Sequence, residues 1–348
     1  MLESTARGAE PATSQTSFRI ELADGTDFTC GADETILHAA LRAGLDVPYE
    51  CASGSCGSCK CRLKSGSVRA RWSEAPGLSE RDRRKGDRIL GCQSVPDSDL
   101  VLGLRARAEL NEPAPASQMA TIDTVERLNP SVSRLLLTLA QPAPFLPGQF
   151  YLLDIPGAGR RAYSMANLPR TDGQLELLVK RKPDGAGTTH LFENTEPGDR
   201  MRVEGPYGRG YLRTGSTRPL VAVAGGSGLA PMLSVVRGAL EEASTHRRIE
   251  LWFGVDRPRD VFCLDALSDL EATGRVRTHL VLREGALSID HPRPHEGLVG
   301  PAMVAAQPRL SEADLYLAGP TPMVDDLLGR TVRPGLIDAS RVFFDRFC

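Results

Sequence analysis

The stretch Cys51-Ala-Ser-Gly-Ser-Cys56-Gly-Ser-Cys59 carries three cysteines separated by four and two residues, and Cys92 follows after a further 32 residues. This spacing is typical of the four thiolates that hold a plant-type [2Fe-2S] cluster. Every residue between the first three cysteines is small, so backbone N–H groups can approach the sulfurs without obstruction by side chains. The stretch therefore predicts metal ligation by Cys51, Cys56, Cys59 and Cys92.

A zinc site or a set of free thiols is the alternative interpretation of these cysteines. Zinc ribbons normally supply a second Cys-x-x-Cys pair, whereas Cys92 stands alone, so the spacing favours the iron-sulfur cluster. If a strand starts here, Cys61 shares a face with Cys59, and we interpret it as a small apolar residue that is not a ligand. The cysteines without metal-like spacing are Cys30, Cys263 and Cys348.

A second group of candidate residues lies at Arg161-Ala-Tyr163-Ser164. A guanidinium can bind a phosphate, a tyrosine ring can lie against an isoalloxazine, and a serine hydroxyl can reach the N5 edge of that ring. The three side chains therefore predict a flavin site, with Tyr163 and Ser164 beside the reacting ring. An exposed arginine and a tyrosine in a barrel core remain the structural alternative.

The segment Gly185-Ala-Gly-Thr188-Thr is a glycine turn that precedes a predicted helix at His190–Asn194. Free N–H groups at a helix N-terminus bind a pyrophosphate, so Gly185 and Thr188 are candidate flavin ligands, although a threonine there can also simply cap the helix. Lys180, at the end of the preceding predicted strand, is a further candidate ligand.

Two glycine loops follow buried-type strands in the last third of the chain. One joins the strand Leu220–Ala224 to a predicted helix at Ala230–Glu242, and the other ends the strand Leu315–Ala318. At the carboxyl edge of an open parallel sheet, such loops bind a nucleotide. Pro231 stands where the usual fingerprint has its last glycine, so plain strand-to-helix turns remain an alternative. The candidate nucleotide-binding residues are Gly225, Gly226, Ser227, Gly228, Gly319 and Pro320.

The composition is that of a packed protein with no general affinity for polyanions. A length of 348 residues suits two or three domains, and no apolar run approaches the roughly 20 residues that cross a bilayer. The formal net charge of −2 gives no indication of nucleic-acid or membrane partners. Residues 1–17 lack an apolar core, which predicts a disordered tail rather than a secretory signal and therefore a cytoplasmic protein.

The pattern along the chain predicts three domains. A hairpin about Asp24-Gly25 and a helix at Asp33–Ala43 precede the cysteine loop. Later, short strands between Pro and Gly turns predict a small antiparallel β-barrel, and alternating strands and helices then predict an open parallel α/β sheet. The predicted boundaries are 18–107 for the cysteine domain, 108–118 for a linker, 119–216 for the barrel and 217–348 for the α/β domain.

In this order, the motifs resemble the ferredoxin-fused flavoprotein reductases of bacterial oxygenases, over residues 18–348. More narrowly, Val47-Pro-Tyr-Glu-Cys51, Glu74-Ala-Pro-Gly-Leu78 and Phe344-Asp-Arg-Phe347 are similar to reductase components of multicomponent toluene and alkene diiron monooxygenases. The resemblance implies a β-grasp ferredoxin domain, an antiparallel β-barrel that binds FAD, and a parallel-sheet NAD-binding domain. The last two domains are those of the ferredoxin-NADP reductase-like superfamily.

The resemblance also implies an activity. NADH passes a hydride to FAD, and single electrons then pass through the [2Fe-2S] cluster to a Rieske-type ferredoxin or a diiron hydroxylase. The family favours NADH over NADPH, although Asp256, Arg257 and Arg259 offer groups for either a ribose hydroxyl or a 2′-phosphate. The acid-x-aromatic ending of many relatives places Phe347 beside the flavin, and Ala318 replaces their usual cysteine.

Two other functions share parts of this pattern. The reductase of a Rieske aromatic-ring dioxygenase has every cofactor motif, so the motifs do not separate the two oxygenase systems. A redox sensor that carries zinc or a cluster would not need both the Arg-x-Tyr-Ser and the glycine-turn elements. Finally, the basic run at 81–88 could guide an acidic partner to the cluster or be a solvated helix face.

Overall fold

The computed structural model describes residues 17–107, 112–242, 246–285, 290–307 and 309–347. The chain divides into two compact units, of which the first comprises Met1–Val47 and Cys59–Glu109 and the second Pro48–Ser58 and Leu110–Cys348. The predicted tail lies outside the described residues apart from Ser17, which starts the first strand. None of the helices in these ranges combines the length and the hydropathy that crossing a bilayer requires.

The first unit is a mixed β-sheet with a helix packed on it. Its elements are β1 (Ser17–Glu21), β2 (Asp27–Gly31), α1 (Ile36–Arg42), β3 (Lys60–Ser65), β4 (Val68–Ala70), α2 (Glu80–Lys85), β5 (Arg88–Leu90), β6 (Ser94–Pro96) and β7 (Leu100–Leu102). The main sheet has the order β2-β1-β7-β3-β5, with β1 antiparallel to β2 and parallel to β7. Helix α1 begins after the N-cap Thr35 and buries six of its seven residues. The arrangement is that of a β-grasp fold.

After the segment Pro48–Ser58, the second unit continues with an antiparallel sheet. Its elements are β8 (Ala116–Asn129), β9 (Val132–Leu139), β10 (Phe150–Ile155), β11 (Gly159–Ser164), β12 (Gln174–Lys180), α3 (Ala186–Glu193) and β13 (Arg200–Tyr207). The strand order is β11-β10-β13-β8-β9-β12, and a bridge between Met165 and Leu177 joins the two ends of that order. The sheet therefore curls into a barrel, whose interior contains fully buried side chains such as Leu135, Tyr151 and Leu153.

The rest of the second unit is an all-parallel sheet with helices on both faces. Its elements are β14 (Leu220–Gly225), α4 (Leu229–Glu241), β15 (Ile249–Val255), α5 (Leu264–Ala272), β16 (Val276–Leu282), β17 (Pro294–Glu296), α6 (Val299–Ala306), β18 (Asp314–Pro320), α7 (Thr321–Thr331) and β19 (Val342–Phe347). The order is β17-β16-β15-β14-β18-β19. Alternate residues of β14 enter two different hydrophobic clusters, Ala222 on one face and Val223 on the other. Burial on both faces explains why the strand is continuously apolar.

Three secondary-structure elements start at other residues than the sequence predicted. Strand β8 begins at Ala116, inside the segment predicted as a linker, because this end of the strand pairs with Gly205 of β13. Helix α3 starts at Ala186 rather than at His190, since the N–H of Thr189 already donates to the carbonyl oxygen of Gly185. Helix α1 is shorter than predicted, because the side chain of Thr35 caps its N-terminus at His38.

Candidate functional site

The cysteine loop at Pro48–Ser58 is shaped, from Cys51 onward, by left-handed backbone conformations and small side chains. Two backbone N–H groups of this loop donate to sulfur: the N–H of Cys56 to Sγ of Cys51, and the N–H of Ser58 to Sγ of Cys56, both at 3.4 Å. The hydrogen bond between the two side chains lowers the pKa of Cys51 and raises that of Cys56, so Cys51 is the thiolate of the pair. The loop residues with positive φ are Ala52, Gly54 and Gly57.

The other two predicted ligands lie in the first unit, where β3 and β5 pair. Cys59 precedes β3, Cys92 follows β5, and their Sγ atoms are 3.2 Å apart. The N–H of Gly91 donates to the carbonyl oxygen of Cys59 at 3.1 Å, which holds the two segments together. Both side chains are buried. Within the described ranges no group of three or more His, Cys, Asp or Glu side chains is placed to hold a metal ion.

The donor chemistry of these four cysteines fits a thiolate-held cluster. Soft sulfur ligands, backbone N–H groups that point at sulfur and a loop without bulky side chains are what iron-sulfur ligation requires. Cys61 differs, because it is buried within β3 and burial raises the pKa of its thiol to about 12. Burial likewise raises the pKa of Cys30 to about 12, while Cys348 lies outside the described residues.

Strand β11 carries the three side chains of the predicted flavin site. Arg161 and Tyr163 are two residues apart and share one face, whereas Ser164 is buried and pairs with Phe150 of β10. Tyr163 packs against the edge of the barrel core, and burial raises the pKa of its phenol, so the hydroxyl stays protonated. The residues are thus presented on one strand of a rigid barrel.

The N-terminus of α3 lies against the same strand. The Cγ of Arg161 is 3.4 Å from the point where a Cβ on Gly187 would be, so the arginine covers the first turn of this helix. Gly185 is the N-cap and offers no side-chain hydrogen bond to the free N–H groups. Thr188 Oγ1 accepts the N–H of Lys182 at 3.0 Å and donates to the carbonyl oxygen of Gly185 at 3.1 Å. A cation beside uncapped helix N–H groups fits the pyrophosphate of a dinucleotide.

Lys180 lies at the glycine loop after β14 rather than in an isolated position on the barrel. Its Nζ is 3.4 Å from the point where a Cβ on Gly226 would be, and Gly226 has a positive φ of 53°. The loop itself forms a short 3-10 turn at Gly226–Gly228, which includes Ser227 and leads directly into α4. The lysine therefore links the barrel strand β12 to the nucleotide loop.

The two glycine loops meet at one edge of the parallel sheet. A Cβ on Gly228 would overlap the carbonyl oxygen of Ala318 at the end of β18, and a Cβ on Gly225 would overlap the sulfur of Met323 in α7. Gly319, at φ 151°, lies against the backbone of Gly225. Only glycine permits these approaches, so the loops form one continuous backbone surface for a nucleotide.

The last strand brings Phe347 to this edge. In the pairing of β18 with β19, Phe347 is opposite Pro320, and the hydroxyl of Thr321 donates to its carbonyl oxygen at 3.4 Å. Two residues earlier, the carboxyl carbon of Asp345 is 3.2 Å from the Cβ position of Gly210. Burial, with a smaller effect of the Glu50 charge, raises the pKa of Asp345 to about 7.

Sequence reasoning missed the residues that hold the cysteine loop within the second unit. Tyr49 is buried, and its hydroxyl accepts the N–H of Gly208 at 3.1 Å. Arg346 donates to Glu50 and to Asp325 of α7, each at 2.9 Å. The only signal in the sequence is the position of Tyr49 and Glu50 directly before Cys51, and nothing local indicates partners so distant along the chain.

A groove of about 340 Å³ opens beyond the carboxyl ends of β15 and β16. Asp256 follows β15 and pairs with Arg283 at 3.1 Å, while Arg257 pairs with Glu284 at 3.7 Å. The carboxylates of Asp256 and Glu284 are therefore ion-paired with the guanidinium groups of Arg283 and Arg257. The lining residues are Asp256, Arg257, Arg259, Asp260, Arg283 and Glu284.

A cysteine loop, a barrel with a phosphate-binding helix, and a parallel sheet with two glycine loops at one edge define an iron-sulfur flavoprotein oxidoreductase. Three family models match the chain in succession: a 2Fe-2S iron-sulfur cluster binding domain over 21–97, an oxidoreductase FAD-binding domain over 119–211 and an oxidoreductase NAD-binding domain over 222–328. The protein is therefore an oxidoreductase that uses a [2Fe-2S] cluster, FAD and NAD(H).

The chain is 56% identical to the ferredoxin–NAD(+) reductase component of an alkene monooxygenase system from Xanthobacter autotrophicus, over 94% of this chain and all of the relative. It is 36% identical to a ferredoxin–NAD(P)(+) reductase from Metapseudomonas resinovorans, over 95% of this chain and 99% of the relative. The solved structure of the ferredoxin reductase in carbazole 1,9a-dioxygenase has a TM-score of 0.86 at 32% identity and covers 96% of this chain and 99% of that one. The chain belongs to the family of ferredoxin-fused FAD and NAD reductases that are electron-transfer components of oxygenase systems.

Proposed function

We propose that this protein is the NADH-dependent reductase component of a multicomponent monooxygenase for alkene or aromatic hydrocarbons, and that it passes electrons to a Rieske-type ferredoxin or a diiron hydroxylase. The high identity to an alkene monooxygenase reductase supports this assignment over the dioxygenase systems. When bound, FAD accepts a hydride from NADH and passes single electrons to the [2Fe-2S] cluster. The observation that carries the proposal is the attachment of the cysteine loop, through Tyr49 and Glu50, to the unit that contains the flavin and nucleotide residues.

We assign the cluster to four cysteines. We assign the flavin to strand β11 and helix α3, which lie against each other on the barrel. Arg161 supplies a positive charge to the pyrophosphate, and the free N–H groups that follow Gly185 supply hydrogen bonds, with Thr188 holding the turn. The ring would lie along Tyr163 and Ser164, with Phe347 as a further neighbour. The proposed cluster ligands are Cys51, Cys56, Cys59 and Cys92.

We assign NADH to the surface formed by the two glycine loops. The two loops, Gly225–Gly228 and Gly319-Pro320, pack directly against each other. Because their glycines have no side chains, the backbone N–H groups of the loops are accessible to a nucleotide. Lys180 adds a positive charge at the same place. The relative at 56% identity is a ferredoxin–NAD(+) reductase, which supports NADH over NADPH.

We retain the sequence boundaries 18–107, 119–216 and 217–348 as a proposal for one domain per cofactor, since each of the three family matches lies inside one of them. A cytoplasmic location is part of the same proposal. It is supported by the seven described cysteines, none of which forms a disulfide.

An anaerobic titration with NADH, followed by visible and electron paramagnetic resonance spectra, tests the proposed electron path. We expect NADH to bleach both the flavin and the cluster bands and to produce the resonance signal of a reduced [2Fe-2S] cluster. A protein whose cluster stays oxidised while the flavin is reduced would contradict the proposal. Substitution of NADPH should give much slower reduction.

An exchange of acceptor proteins separates the monooxygenase from the dioxygenase assignment. The reduced protein is mixed with the ferredoxin of a monooxygenase system or with that of a Rieske dioxygenase system, and turnover of the matching oxygenase is measured. The monooxygenase assignment requires faster turnover with the first acceptor. Support of the dioxygenase alone would identify the rival system.

A further inference from the structure

Helix α2 presents a row of positive charges to solvent. Arg81, Arg84 and Lys85 are spaced i, i+3 and i+4, so they share one helix face, and all three are exposed. After Gly86 ends the helix in the left-handed conformation, Arg88 is exposed at the start of β5. These four residues, Arg81, Arg84, Lys85 and Arg88, are called the basic face.

The acidic residues within the same segment are already neutralised. Asp82 pairs with Lys60 at 2.9 Å, and Asp87 pairs with Arg62 at 3.1 Å, so both acids are bound to cations of β3. No member of the basic face has an ion-pair partner within the described ranges. Only Glu80, in the first turn of α2, adds an opposing charge beside them. The basic face therefore carries a net positive charge that the fold does not use.

Helix α2 does not contribute to a hydrophobic core, because none of its residues is buried. It is held by its ends: Ser79 Oγ accepts the N–H of Asp82 at 3.2 Å, and Gly86 closes the C-terminus. Arg83 turns inward instead and donates to the carbonyl oxygen of Ala75 at 2.9 Å. Since packing does not determine the outward residues of α2, their common charge needs another explanation.

The basic face lies beside two of the proposed cluster ligands. Lys60, which anchors α2 through Asp82, is the residue directly after Cys59. Strand β5, which starts at Arg88, ends two residues before Cys92. A protein bound on this face would therefore lie next to Cys59 and Cys92, two of the proposed cluster ligands.

We propose that the basic face is the docking surface for the acidic side of the protein that accepts electrons from the cluster. The inference rests on the proposed electron-transfer function. Residues 18–107 carry 14 basic and 13 acidic side chains, so attraction must come from a local patch rather than from the net charge of this stretch. The large hydrophobic side chains that are exposed in the described ranges, Leu298 and Leu336, both lie outside this unit, which favours a small, charge-guided and short-lived complex.

Charge reversal of the face tests this proposal. The variant R81E/R84E/K85E is compared with R105E/R200E/R202E, which makes the same change in net charge at exposed residues outside the basic face. The acceptors are the ferredoxin of the Xanthobacter alkene monooxygenase system and, as a basic protein, cytochrome c. Reduction of each acceptor is measured over a series of salt concentrations, and binding of the ferredoxin is measured separately by calorimetry.

We expect the test variant to raise both KM and Kd for the ferredoxin by about tenfold or more at low salt and to remove the salt dependence of the wild-type rate. The control variant should stay within about twofold of wild type. Reduction of cytochrome c by the test variant should not fall. Equal effects of the two variants, or a wild-type rate that does not fall with salt, would overturn the proposal.

The spectra of the variants keep this test distinct from that of the proposed function. NADH alone should bleach the flavin and the cluster of both variants as in wild type, because the basic face contains none of the assigned ligands. Loss of NADH-dependent cluster reduction in the wild-type protein would refute the electron path itself. Normal cluster reduction with unchanged ferredoxin binding would refute only the docking surface.

Discussion

At Gly228 the absence of a side chain allows the start of α4 to approach the end of β18. We predict that Gly228→Ala forces these elements apart, because a Cβ would overlap the carbonyl oxygen of Ala318. The expected cost is about 1–3 kcal/mol of unfolding free energy, together with a raised KM for NADH. Thermal unfolding and steady-state kinetics measure the two effects.

Gly329→Ala is the matched control for that substitution. Gly329 lies inside α7, and no atom is within 4 Å of its Cβ position. Alanine should therefore stabilise the helix by up to about 1 kcal/mol and leave the KM for NADH unchanged. If Gly228→Ala and Gly329→Ala had the same effects on stability and on the KM for NADH, the close approach of α4 to β18 would not be the reason for a glycine at Gly228.

Cys92 and Cys61 are both buried cysteines of the first unit, yet only Cys92 is assigned as a ligand. We predict that Cys92→Ser removes the visible and electron paramagnetic resonance signals of the cluster while NADH still reduces the flavin. Cys61→Ser should retain the cluster, because Cys61 is buried within β3 as an uncharged thiol whose raised pKa reflects burial. A cluster that persists in Cys92→Ser would refute the assignment of the fourth ligand.

Asp345 makes stability depend on pH. Its pKa is raised from 3.8 to about 7, mainly by burial, so the folded protein holds a proton that the unfolded chain releases near pH 4. The contribution of this group is therefore most favourable below about pH 4 and is lost as the pH rises through about 7. We predict that Asp345→Asn gains stability over wild type as the pH increases from 5.5 to 8.

Unfolding midpoints of both proteins across that pH range measure the effect on stability. Asp154→Asn serves as the control, because Asp154 is exposed on β10. A constant difference between Asp345→Asn and wild type at all pH values would show that Asp345 does not titrate in this range.

At the scale of one element, α3 depends on the hydrogen bonds of its first turn. Thr188→Ala removes the bonds of Oγ1 to the N–H of Lys182 and to the carbonyl oxygen of Gly185. We predict a loss of about 1 kcal/mol in FAD binding, which is about a fivefold higher Kd, because the N–H groups of the turn are no longer pre-oriented. Fluorescence of released flavin on dilution measures the Kd.

Thr189→Ala is the control for α3, since no side-chain hydrogen bond of Thr189 is found among the described residues. It removes the same atoms from the next residue of the same helix and should leave the Kd for FAD unchanged. Similar losses in the two variants would indicate a general effect on the helix rather than on its first turn.

At the scale of the whole molecule, electron flow needs the cysteine loop to remain attached to the second unit. Tyr49→Phe deletes the buried hydroxyl that accepts the N–H of Gly208 and leaves that donor unsatisfied, at a cost of about 1–3 kcal/mol. We predict unchanged flavin reduction by NADH and slower reduction of the cluster afterwards. Rapid mixing with detection at flavin and cluster wavelengths separates the two steps.

Tyr211→Phe is the matched control for the loop contact. The hydroxyl of Tyr211 donates to Glu112 at 2.7 Å, and both residues belong to the second unit but lie outside the cysteine loop. Its removal should leave both steps at wild-type rates. Slower cluster reduction in this variant as well would mean that Tyr49 acts through overall stability and not through the loop.

The sequence by itself determined the chemistry of the cofactors and the class of each fold. The spacing of Cys51, Cys56 and Cys59, the glycines of the nucleotide loops, and the change from short strands to alternating strands and helices are all local patterns. Such patterns arise because ligand spacing, positive φ angles and strand periodicity involve residues that are close along the chain. They could therefore be recognised without knowing how distant segments pair.

Only the tertiary structure decided which distant residues complete the site. The pairing of Glu50 with Arg346 joins residues 296 positions apart, and the approach of Lys180 to Gly226 joins a barrel strand to a nucleotide loop. The strand β8 likewise starts earlier than the local composition suggested, because its end pairs with β13. These contacts depend on strand register and on the packing of whole elements, and no short stretch of sequence encodes either of them.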